Sequence, residues 1–293
     1  MKPRICFSND VECFAYSSHS YETNLASRIE NEGLPIILEL YKRYSIRSTF
    51  FFTARFANLS PKSLEMVKRS NHEIGCHGYD HCDFYDQMSY VDQVKMLIKS
   101  KSILEDISGT EVCSFRAPAL RINSDTVKAL EETGFRYDSS VASQRFDGPF
   151  TSGAKQKLGW LFAPRNPYHL SHDSPFRKGN SSVVEVPVSA MLWPFIGTHM
   201  RISPVITRFV QRLLILESKR KGNVIVFLIH PAELMDFLRE KTKKRGNFFS
   251  DQIRHHLKMR NLGDDACGLL DRSIRIGKKA GAQFVRIDEL EHT

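Results

Sequence analysis

His72–His81, HEIGCHGYDH, is the stretch whose reading decides the fold. Its first five residues, His72 to Cys76, read as a short buried strand, and Gly78 turns the chain into a loop directly after His77. His77 and His81 stand four apart, with Asp80 beside the second. Imidazole nitrogen is a good ligand for zinc and its first-row neighbours, and an H-x-x-x-H spacing lets two rings close on one ion. That spacing arises often by chance. Its position gives it weight, because both histidines fall where a strand runs out, the end at which α/β barrels place their chemistry.

Outward from this stretch the chain alternates strand and helix. Strands are expected at Arg4 to Asn9, Ser48 to Thr53, Val112 to Phe115, from Tyr137, at Val183 to Ser189, Val224 to Ile229 and Phe284 to Ile287. Between them, Pro35 fits the first turn of a helix over Ile36 to Tyr44, and Ser60-Pro61 caps one ending near Ser70. Ser89 opens a long helix with Val91, Val94, Leu97, Ile98, Leu104 and Ile107 on its buried side, and Ser124 caps another that ends at Gly134. Residues 142–182 lapse into Gly, Ser, Pro and His, too long for an idle loop, and read as a lid or insertion. Residues 241–281 read as a lysine- and arginine-rich helical segment. Repeated βα units with no linker and no internal repeat predict a single α/β domain over 1–293, a parallel barrel or a doubly wound sheet.

Composition narrows the setting. The 293 residues contain no run of about twenty apolar residues that would span a bilayer, and MKPRICFSNDVE enters a strand without the apolar core of a signal peptide. The six cysteines (6, 13, 76, 82, 113, 267) form no C-x-x-C pair and read as free thiols, so a cytoplasmic location is expected. A formal charge of +9 attracts anions: phosphorylated metabolites or an acidic membrane surface. Lys219-Arg220-Lys221 and the stretch Arg239 to Arg245 lack the interleaved aromatics that stack on bases, which argues against nucleic acid. Pro204 to Leu216 places Ile206, Phe209, Val210, Leu213 and Leu214 on one helical face and Arg208, Gln211 and Arg212 on the other, shortly after the apolar Trp193 to Ile196. The pattern serves first as an ordinary barrel helix whose apolar face packs on the sheet. A basic amphipathic helix of this kind can also lie in a headgroup layer, which gives peripheral association at the inner membrane face as the alternative.

The polar residues at strand C-termini form one set. Asp10 and Glu12 follow the first strand, His77 and His81 the third, Arg116 the fourth, Asp138 belongs to the fifth, and Val224 to Ile229 delivers His230. A metal held by Glu12, His77 and His81 would leave positions open for water and a carbonyl oxygen. Asp10, two residues from Glu12 and on the same side of an extended strand, would act as base, and His230 as the acid for a leaving amine. Arg116 would orient Asp10, and Asp138 would fix the tautomer of His230. The reaction class is metal-assisted hydrolysis of an amide.

In order along the chain, Asp10-Val11-Glu12, His77-x-x-x-His81, Arg116-x-Pro118, Tyr137-Asp138-Ser139-Ser140, Glu185-Val186-Pro187 and Leu228-Ile229-His230-Pro231 resemble the motifs of the polysaccharide deacetylase (NodB homology, carbohydrate esterase family 4) superfamily, over roughly residues 4 to 233. The resemblance implies an α/β fold, a distorted (β/α) barrel of about seven parallel strands. It also implies removal of an acetyl or formyl group from an amino sugar with a divalent metal, zinc foremost. Asp10 would be the base, His77 and His81 ligands, Arg116 and Asp138 supports and His230 the acid. The usual first motif is two adjacent aspartates. Aligning Asp10 with the base makes Glu12 the metal carboxylate, whereas the alternative register makes Asp10 the ligand and Asn9 a crippled base. The aromatic-glycine that follows Arg-x-Pro in the family is replaced by Ala119-Leu120. Relatives with a glutamate in the first motif include allantoinase-like amide hydrolases that work without metal, which stand as the alternative activity. The D-V-E opening and HGYDH are similar to deacetylases and deformylases of undecaprenyl-phosphate-linked sugars in glycan assembly.

Overall fold

A computed structural model describes residues 1–13, 23–145, 155–236 and 259–290. Its strands are β1 (Arg4–Val11), β2 (Thr49–Phe52), β3 (Glu73–Cys76), β4 (Ser114–Phe115), β5 (Tyr137–Asp138), β6 (Tyr168–Ser171), β7 (Ser174–Lys178), β8 (Val184–Glu185), β9 (Ala190–Met191), β10 (Trp193–Pro194), β11 (Val224–Ile229) and β12 (Gln283–Phe284). The helices are α1 (Thr23–Arg28), α2 (Leu34–Arg43), α3 (Ala54–Leu59), α4 (Lys62–Arg69), α5 (Tyr90–Ser108), α6 (Ser124–Glu132), α7 (Gly197–Ile202), α8 (Pro204–Lys221) and α9 (Asp264–Lys279).

Seven strands run parallel in the order β11-β1-β2-β3-β4-β5-β8, as the barrel expectation requires. Past β8, the Ser189 amide donates to the Val226 carbonyl and Ile196 bridges Leu228, which curls the sheet back toward β11. One edge of β1 is paired to β11 from Arg4 to Asn9. The other is shared: β12 takes Arg4 and Ile5, and β2 takes Ser8 to Val11. β11 and the three phenylalanines of β2 are continuous apolar runs, and both strands are buried along their whole length, as strands covered on both faces must be.

Below the barrel, Glu73 fastens β12's end. Its carboxylate accepts from Thr49 Oγ1 (2.5 Å), the hydroxyl of Ser114, and the amides of Ile287 (3.0 Å) and Asp288 (3.1 Å).

Several boundaries differ from expectation. The helix expected to begin at Ile36 is preceded by α1 and a wide π turn, Ile29–Gly33, so Pro35 follows an irregular turn that absorbs its missing amide. α6 is capped by the side chain of Asn123, one residue before Ser124. Ser89 does cap α5, but Val91 and Ile98 lie exposed, and the buried face is Gln93, Leu97, Ser100, Leu104 and Ser108. Leu97 and Leu104 are buried as expected and Val94 and Ile107 pack against the core, but the periodicity set the face too wide, because buried polar groups share it. The 142–182 insertion holds an antiparallel hairpin, β6–β7, added to the edge of the sheet beyond β8, while residues 146–154 lie outside the described residues. Of the expected 241–281 helical segment, α9 is seen and 241–258 lie outside the described residues. On α8, Val210 and Leu214 of the expected apolar face are buried, so that face packs on the barrel.

Candidate active site

The site grows from three strand ends. On β1, alternation turns Ser8, Asp10 and Glu12 to one side and Asn9 to the other. Asn9 accepts from Tyr41 (2.8 Å) and donates to the Thr49 carbonyl (3.0 Å), which commits its side chain to the helix layer. Arg116, fully buried just past β4, reaches across to that first face. Its Nη1 donates to Asp10 Oδ1 (2.8 Å) and Ser8 Oγ (2.9 Å), while Nε and Nη2 hold the carbonyl and hydroxyl of Ser139. Phe51 stacks under the guanidinium, 4.3 Å away.

Glu12 is the hub. Its Oε2 lies 3.4 Å from His77 Nε2, and its Oε1 lies 3.5 Å from His81 Nε2 and 3.4 Å from His230 Nε2. Burial opposes its charge, but the surrounding imidazoles outweigh that and hold Glu12 well below the usual carboxylate range. Burial likewise disfavours a charged His77, and Asp10 and Glu12 more than compensate, raising it. His81 is pushed down by burial. His77 Nδ1 is bonded to the Arg116 carbonyl (2.8 Å), which places the proton there and turns a bare Nε2 toward Glu12. Gly78 makes the turn to His81 with φ 74°; a Cβ there would press on Pro118 and on the Tyr85 hydroxyl.

Whether these groups suit a metal follows from their chemistry. Two ligands on one tetrahedral zinc at about 2.1 Å stand roughly 3.4 Å apart. Glu12 is at that distance from both His77 and His81, and its buried Oε2 has no hydrogen-bond partner. The two imidazole centroids are 6.3 Å apart, wider than the roughly 5 Å of rings on one such ion, so the third edge is open. As they stand, no group of three or more His, Cys, Asp or Glu side chains among the described residues forms a ready metal shell. Closing the rings by about 1 Å would complete one, and the donor set of two imidazoles and a carboxylate suits a divalent first-row ion.

His230 ends β11. Its Nδ1 is bonded to Glu233 Oε1 (3.0 Å), and Glu233 is locked by Arg201 Nε on its other oxygen (2.5 Å). Burial raises Glu233, yet Arg201 and His230 bring it down to about 2. The expectation that Asp138 fixes the His230 tautomer is therefore corrected: Glu233 is the carboxylate on Nδ1. Asp138 instead accepts from Ser140 and lies beside its register partner Glu185; burial raises Asp138 to about 6, and burial followed by the charge of Asp138 raises Glu185. Glu233 was missed because only its spacing, three residues past His230, marks it, whereas Arg201 comes from a different helix. Ala119 and Leu120, where the resembling motif has aromatic-glycine, both take left-handed φ (53° and 55°).

Residues 23–137 match the polysaccharide deacetylase family. A peptidoglycan deacetylase of Helicobacter pylori is 28% identical over 114 residues, 39% of this chain and 39% of its own length, so the chain spans about two fifths of that curated relative. Among solved structures, a Mycobacterium smegmatis protein described as a polysaccharide deacetylase superposes with a TM-score of 0.66 at 19% identity, over 99% of this chain and 88% of its own. PuuE allantoinase superposes with a TM-score of 0.60 at 15% identity, over 98% and 88%. Residues 23–137 are thus similar in sequence to polysaccharide deacetylases, and the chain shares the fold of the solved structures named.

Proposed function

We propose that the protein removes an N-acyl group, acetyl or formyl, from an amino sugar with the aid of a divalent metal, zinc foremost. The supporting observation is Glu12, ringed by His77, His81 and His230, with Asp10 held beside it by Arg116. Glu12, His77 and His81 would hold the metal, which when bound supplies Lewis acidity toward water and the amide carbonyl. Asp10, fixed by Arg116, takes the proton from the attacking water. His230 keeps its Nδ1 proton directed at Glu233 and, as the imidazolium that this buried carboxylate favours, gives its Nε2 proton to the departing amine, leaving the neutral Nδ1–H ring. Buried Arg116 and Glu233 keep both groups aimed without water-mediated drift.

In this reading the sugar is attached to a phosphorylated carrier, a lipid such as undecaprenyl phosphate or a nucleotide. The protein then works in the cytoplasm, peripheral to the inner membrane, during glycan assembly. The net positive charge supports an anionic carrier. Among the described residues no helix is long and apolar enough to cross a membrane.

The test is metal analysis of the purified chain together with release of acetate or formate from free, nucleotide-linked and lipid-linked N-acyl amino sugars. Stoichiometric metal and acyl release lost with chelator are expected. Hydrolysis of allantoin with no acyl release from any sugar would favour the ureide-hydrolase alternative and overturn this one.

A further inference from the structure

Of the apolar face of α8 that sequence periodicity singled out, Val210 and Leu214 are buried in packing but Phe209 is not, and the helix carries further apolar groups on the side facing away from the barrel. Val205, Phe209 (57% exposed) and Leu216 (52%) stand there, and the β9–β10 turn, which packs against α8, adds Leu192 and Trp193 (46%). Scattered exposed apolar residues are ordinary. A Trp, a Phe and three aliphatic side chains on adjoining elements are a patch.

Charge on the same elements has one sign. α8 contains five basic residues, Arg208, Arg212, Lys219, Arg220 and Lys221, and one acid. That acid, Glu217, is turned in and paired with Arg165 at 2.6 Å. Arg212, Lys219 and Arg220 are exposed and make no ion pair among the described residues. α8 packs on β11 and leads into it, so the helix runs back along that strand and its first turns lie at the rim where β11 delivers His230.

We propose that the outward side of α8, with the Leu192–Trp193 turn, is a docking surface for an anionic bilayer. Aromatic and aliphatic groups would enter the headgroup–acyl boundary while the arginines and lysines meet lipid phosphates. A second copy of this chain is the other apolar occupant to weigh. A two-fold contact would set Arg212 and Arg220 against their own copies with no acid on the patch to answer them, so charge favours the bilayer. The purpose of such a surface, bringing the His230 rim to a lipid-borne sugar, rests on the proposed function, but the binding itself needs no turnover.

The test is co-sedimentation of the full chain with vesicles of phosphatidylcholine alone or with about a third phosphatidylglycerol, at low and high salt. Three proteins are compared: the wild type, Trp193→Ser/Phe209→Ser and Arg212→Glu/Arg220→Glu. The altered side chains are exposed, and thermal melts check that each variant folds. Expected are binding to the anionic vesicles that weakens with salt, and affinity about tenfold or more lower in either variant. No binding by the wild type, equal binding to neutral vesicles, or a wild-type dimer in solution that Trp193→Ser/Phe209→Ser dissolves would each overturn the assignment. Because hydrolysis is not measured, vesicle binding without acyl release would refute the reaction and leave the surface standing, and the converse holds.

Discussion

At the scale of single residues, Asp10 and Glu12 are two positions apart and have been given different neighbours. Asp10 is bonded to a buried arginine and has His77 Nε2 at 3.8 Å, whereas Glu12 has three imidazoles at 3.4–3.5 Å. From this follows the expectation that Asp10→Asn abolishes turnover with metal retained, whereas Glu12→Ala weakens metal binding. Elemental analysis of both variants checks it, and metal loss from the Asp10 variant alone would restore the alternative register. Replacing His77 or His81 with Ala should likewise strip the ion; stoichiometric metal in both would remove them as ligands. His230→Ala should lower turnover by roughly 10²–10⁴ with metal unchanged, the range for a lost general acid, and a normal rate would make it structural.

The elements hold these residues in place through buried polar contacts that apolar periodicity does not announce. Gly75 on β3 shows how tightly: a Cβ there would lie 2.6 Å from the Phe51 ring, the same ring that supports Arg116. Gly75→Ala should therefore cost about 1–3 kcal/mol in denaturant unfolding and disturb the arginine as well. At the other end of the same strand, burial, and after it the charge of Asp288, push Glu73 up to about 7. In the unfolded chain an ordinary glutamate titrates near 4.3. The folded state thus binds the proton more tightly, and its stability should fall as pH rises from about 4.3 through about 7. Melting curves across that window should show the fall in the wild type and its loss in Glu73→Gln; identical profiles would mean that the four donors around Glu73 cancel the cost of its charge.

For the whole molecule, the parallel barrel was legible because buried runs such as Val224 to Ile229 alternate with helical stretches, and because the chemistry sits at strand ends. Asp10, Glu12, His77, His81, Arg116 and His230 could be found on those grounds, and the structure brings them together. The partner of His230 could not be found that way. Asp138 is a strand-end carboxylate like the others, and only three-dimensional packing reveals that its neighbour is Glu185 while Glu233 and Arg201 serve the histidine. The faces of α5 and α8 were legible only in part for a related reason: Leu97, Leu104, Val210 and Leu214 are buried as expected, but Val91, Ile98 and Phe209 are exposed, and buried Gln93, Ser100 and Gln211 take part of the inward side.

The strand carrying Asp10 and Glu12 comes first in the chain, yet its neighbours β11 and β12 come nearly last. During synthesis the ribosome must release more than two hundred residues before either can pair with it. Until then β1 presents an unmatched edge, the kind of edge that invites pairing with another chain. The residues that would handle substrate thus wait on the tail of their own polypeptide, and nascent chains interrupted before Val224 should be inactive and in need of chaperone cover.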